Sequence, residues 1–168
     1  MPSIINSRER INTVELDVGW DKIVMHIINL NKPANPAIIA DIDKQYRDCT
    51  AIGITKEISP CRIALALLYT QEDLSTKRAR VRNQTILLLM NIYGFRQIKD
   101  LLDKIKMIDK IVMINCAPHI IDHITSMLKD LGYLDLNISI KDAEVVPLKC
   151  RSQDLFILTS NRLKMLSK

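Results

Sequence analysis

Lys110-Ile111-Val112-Met113-Ile114 is an apolar run too short for hydrophobic periodicity to separate a strand from a buried stretch of helix. With the aspartate before it, most of the run occurs twice: Asp21-Lys22-Ile23-Val24-Met25 returns unchanged as Asp109-Lys110-Ile111-Val112-Met113. If these runs and the similar Leu136-Asn137-Ile138-Ser139-Ile140 are strands, the chain is α/β. If they are helical, it is all-α. The surrounding sequence favours helix.

Asn35-Pro36 and Ser59-Pro60 each set a capping side chain before a proline suited to the first helical position. After the first, Ile38, Ile39, Ile42 and Tyr46 form a stripe at spacings of three and four; after the second, the chain is apolar around most of a helical circumference, which predicts burial. Ser75 is a cap for a third helix that Gly94 ends, and Ile98, Leu101, Leu102 and Ile105 continue the helical spacing. A helix from Pro118 closes on Gly132, and a weaker one runs from Ser152 toward the C-terminus. With only four glycines and seven valines weighing against a sheet, the expected fold is all-α, with α/β the alternative.

The repeat extends beyond its opening block. Pro-x-Ile-Ile-x-x-Ile occurs at Pro36, Ile38, Ile39 and Ile42 and again at Pro118, Ile120, Ile121 and Ile124. Ile52 and Ile54 then match Ile138 and Ile140, Glu57 and Pro60 match Glu144 and Pro147, and Cys61-Arg62 with Thr70 matches Cys150-Arg151 with Thr159. Conserved order over similar spans predicts two similar helical units about a pseudo-twofold axis. The expected partition is an N-terminal unit 1–74, a connector helix 75–96 and a C-terminal unit 97–168. More apolar helix than 168 residues easily bury predicts a homo-oligomer.

Composition narrows the function. At 48% hydrophobic and 26% charged residues the chain has the means to build a core. Scarce glycine excludes glycine-cradled phosphate sites, and the longest apolar stretch, 63–69, is too short for a membrane span. The opening MPSIINSRER has no long apolar run, and Cys49, Cys61, Cys116 and Cys150 show no CxxC spacing, so the chain reads as cytoplasmic with free thiols. Recognisable catalytic signatures are missing, so neither an enzyme nor a cofactor is expected.

A net charge of +5 favours anionic partners. The densest cations are Lys77, Arg78, Arg80 and Arg82, at the start of the connector helix, where they oppose the dipole unless an anion relieves them. Arg62 and Arg151, paired by the repeat, extend this candidate phosphate-contact surface. No aromatic residue interleaves with the cluster, which favours recognition of RNA backbone and shape over base stacking. Cys116, His119 and His123 have C-x2-H-x3-H spacing with Asp122 beside them, but without a second cysteine pair no metal is expected.

With its two DKIVM blocks, their following prolines and the KRARVR cluster at 77–82, the chain resembles in overall organisation the RNA-silencing suppressors of plant closteroviruses. The resemblance implies all-helical two-domain subunits, ring assembly and a positively charged inner surface for RNA. It further implies a non-enzymatic protein of the host cytoplasm that sequesters small RNA duplexes. The competing expectations are a protein-interaction scaffold or viral accessory protein without direct nucleic-acid contact, whose association would be independent of salt, and a metal-dependent or α/β enzyme.

Overall fold

A computed structural model describes residues 11–17, 22–39, 49–76, 83–138, 145–148, 150 and 152–153. The chain forms two compact units that interleave along the sequence: Met1–Lys56 with Met107–Pro147, and Glu57–Lys106 with Leu148–Lys168.

The first unit is built on a five-stranded mixed sheet, which overturns the all-α expectation in favour of α/β. Its strands are β1 (Ile11–Asp17), β2 (Lys22–Ala34), β3 (Thr50–Ile54), β4 (Ile108–Ile114) and β5 (Val145–Pro147), in the order β3-β4-β2-β1-β5. All neighbours are antiparallel except β1 and β5. Both DKIVM blocks contribute to strands. Ile23, Met25, Ile27 and Ile28 on β2, Ile111 to Ile114 on β4 and Ala51, Ile52 and Ile54 on β3 are all buried. On β3 and β4 burial on both faces removes the polar residue from every second position, so the period-two signature of a half-exposed strand is lost there, while β2 leaves Val24 and His26 half-buried on the face opposite Ile23, Met25 and Ile27. Isoleucine, β-branched like valine, supplies the strand preference that so few valines seemed to deny.

The repeated strands are neighbours. Met25 pairs with Ile114 and His26 with Met113. Because the repeat equates Met25 with Met113 and His26 with Ile114, these pairs exchange under a local pseudo-twofold axis. Asn115, at φ 51°, lengthens the ladder: its N–H donates to Val24 O at 2.9 Å and its Oδ1 accepts from Val24 N–H at 2.8 Å. Asparagine tolerates this left-handed backbone better than most residues. Each strand leads to a proline-opened helical segment, residues 37–39 after Pro36 and a helix at Pro118–Asp130 after β4. Ile39, Ile120, Ile121 and Ile124 are buried; Ile42 lies outside the described residues. Later blocks diverge, since Pro60 opens a helix and Pro147 ends β5.

The second unit contains α1 (Pro60–Ser75), α2 (Gln84–Tyr93) and α3 (Ile98–Lys104); the Pro118–Asp130 helix of the first unit is α4. Ser59 caps α1 and Asn83 caps α2 through side-chain oxygens that accept from Arg62 N–H and Ile86 N–H. The expected helix from Ser75 to Gly94 is therefore corrected: Ser75 ends α1 and Asn83 starts a separate helix. Gly94, at φ 77°, does end α2. Between α1 and α2, buried Thr70 Oγ donates to Ala66 O and accepts from buried Asn91 Nδ2, both at 2.8 Å.

The cysteines are not free thiols. Cys49 bonds Cys116 in the first unit and Cys61 bonds Cys150 in the second, with Cα separations of 4.6 and 5.4 Å. The partners are 67 and 89 residues apart, a distance over which local spacing carries no information. The first bond joins the residue before β3 to the segment after β4, fastening the same end of two paired strands. No helix among the described residues is long and apolar enough to cross a membrane.

Candidate functional site

Arg62 is the one expected phosphate contact that falls among the described residues; Lys77, Arg78, Arg80, Arg82 and Arg151 lie outside them. Its half-buried side chain reaches the end of α2, where Nη2 donates to Ile92 O at 2.9 Å. Carbonyls in a final helical turn lack intrahelical donors, and a cation there meets the negative end of the dipole. Nε is buried and has no hydrogen-bond partner among the described residues. Part of the guanidinium is thus committed to holding α1 against α2.

The C-x2-H-x3-H set loses its sulfur to Cys49. His119, Asp122 and His123 are exposed on α4. Among the described residues no group of three His, Cys, Asp or Glu side chains is placed to hold a metal ion.

One face of the β1–β2 ladder is polar. His26 stands opposite Thr13, and Lys22 Nζ forms an ion pair with Glu15 Oε1 at 3.3 Å across the same strands. His26 is half-buried; its Nδ1 is sequestered with no partner among the described residues, and burial holds the imidazole below its ordinary pKa. A neutral ring at physiological pH follows.

The two sheet edges differ sharply. On β3, Ala51, Ile52 and Ile54 are fully buried. On β5, Val145 and Val146 are 56% and 51% exposed, although they pair with Thr13 and Val14 of β1. Among the described residues no strand lies on the far side of β5. Consecutive strand residues point to opposite faces, so this edge presents apolar surface on both. Half-buried Val14 and Leu16 on β1 share the face of Val146. Leu131 and Leu136, in the same unit, are also exposed.

The chain matches no family model and no curated protein. The all-helical architecture implied by the resemblance to silencing suppressors is not the architecture observed. Sequence reasoning missed the β5 edge, because Val145-Val146-Pro147 is too short to stand out as a strand. It missed the disulfides as well, though one signal was present: Cys61 and Cys150, now bonded, are the cysteines that the repeat aligns.

Proposed function

We propose that the protein is a non-enzymatic protein-binding module that accepts an extended apolar segment of a partner protein as an added strand along β5. The observation that carries this reading is the exposure of Val145 and Val146 on the outermost strand of a sheet whose other edge is buried. An added strand gains main-chain hydrogen bonds from such an edge, and side chains on both faces select its alternate residues. β5 has only three residues, and Pro147 lacks an N–H, so the pairing is short and suits a reversible contact. Two disulfides support a setting in which such bonds persist over the cytoplasm expected from the sequence.

The test is fluorescence anisotropy with a labelled peptide of alternating valine and threonine, alongside a gel shift with a short RNA duplex over a salt series. Peptide binding should be nearly independent of salt and should disappear in Val146→Lys. Tight RNA binding that weakens steeply with salt, without peptide binding, would overturn the proposal and restore phosphate recognition. Sedimentation of the protein alone reads self-association: peptide-sensitive oligomers would make a second copy the occupant of the edge.

A further inference from the structure

The two disulfides face solvent very differently, a contrast that goes beyond the binding function proposed above. Cys49 and Cys116 are both buried, at 4% and 9% exposure. Cys61 is buried at 2%, whereas Cys150 is exposed. One sulfur-bearing residue of the four therefore stands in the open, and its partner is covered.

From this asymmetry we infer that Cys150 is a thiol-exchange site, at which a low-molecular-weight thiol such as glutathione opens the Cys61–Cys150 bond and remains attached to Cys150. Exchange requires a thiolate to reach one of the two sulfurs, and burial of Cys61 directs it to Cys150. The incoming thiol ionises and releases its proton to solvent. Its sulfur forms a new bond to Cys150 Sγ as the Cys150–Cys61 bond breaks, and Cys61 leaves with the electron pair as a thiolate. The disulfide count is unchanged: the reagent sulfur is oxidised and Cys61 is reduced.

The leaving position suits this step. Cys61 follows Ser59 and Pro60 as the second residue of the 16-residue α1, whose first turn contains no acidic side chain. Unpaired N–H groups of a helix start stabilise a thiolate, and a more stable thiolate leaves faster. Opening the bond frees the chain beyond Cys150 from its covalent tie to α1, while Cys49–Cys116 continues to hold β3 to β4.

The experiment incubates the native oxidised protein with reduced glutathione, quenches samples with acid, alkylates them with N-ethylmaleimide and maps all four cysteines by mass spectrometry. Early samples should show glutathione on Cys150 and maleimide on Cys61, with opening at least about tenfold faster than at Cys49–Cys116. In denaturant the preference should largely vanish, because the fold imposes it. Glutathione found on Cys61, equal rates in the native protein, or an undiminished preference in denaturant would each overturn the inference. Separately, Cys61→Ser should leave a Cys150 thiol that is alkylated rapidly in the folded protein, and slow alkylation in a folded variant would also refute it.

Discussion

His26 sits on β2 between Thr13 of β1 and Met113 of β4, on a sheet face that also carries the Glu15–Lys22 ion pair. Since burial lowers its pKa in the folded state, the unfolded chain takes up a proton as pH falls through about 6.5, at a higher pH than the native protein does. Stability is therefore undiminished above that pH and declines below it. Urea titrations between pH 7 and 5 should show this decline, and His26→Gln should flatten it. Gly53 makes a steric prediction on β3: a Cβ there would lie 2.5 Å from Ile108 Cδ1 and 3.2 Å from Ile39 Cγ1. Gly53→Ala should cost about 1–3 kcal/mol in chemical denaturation, as overpacked cores do. The companion change Ile108→Val, which removes the Cδ1 methyl, should recover part of that loss. Neither effect was legible in the sequence, where His26 and Gly53 are single letters in apolar runs and the residues that crowd them come from distant segments.

At the level of elements, helices were readable and strands were not, for a physical reason. Ser59-Pro60, Gly94 and Pro118 mark helix ends by local chemistry, and the structure uses all three. β3 and β4 are defined by cover on both faces, which is a tertiary property, and their apolar runs carry no local mark of it. The break between α1 and α2 was missed because Ser75 and Asn83 are both good caps; only the Asn83 Oδ1 bond to Ile86 N–H, at 3.0 Å, shows which one starts a helix. Asn83→Ala should cost about 1 kcal/mol of stability. Arg62→Met should cost about 1–2 kcal/mol through loss of the Ile92 carbonyl bond, measured by the urea midpoint. An unchanged midpoint would mean that the α1–α2 contact does not depend on that bond.

At the scale of the whole molecule, Cys49–Cys116 closes a long loop around paired strands. Replacing both cysteines by alanine should lower stability by about 2–5 kcal/mol, read by thermal or urea unfolding. The β5 edge was illegible for the same reason as the bond: each exists only once separated parts of the chain meet. Sheet order also carries a consequence for synthesis. Among the described strands β3 pairs with β4 alone, which also supplies the second partner of β2, and the whole of α1, α2 and α3 is translated between them. At ordinary ribosomal speeds that interval lasts about 3–10 s. Until it ends, a nascent chain has the β1–β2 ladder and an apolar Ala51-Ile52-Gly53-Ile54 segment without its strand partner. A ribosome stalled at Lys106 would prolong the time that β3 spends without the strand that pairs with it.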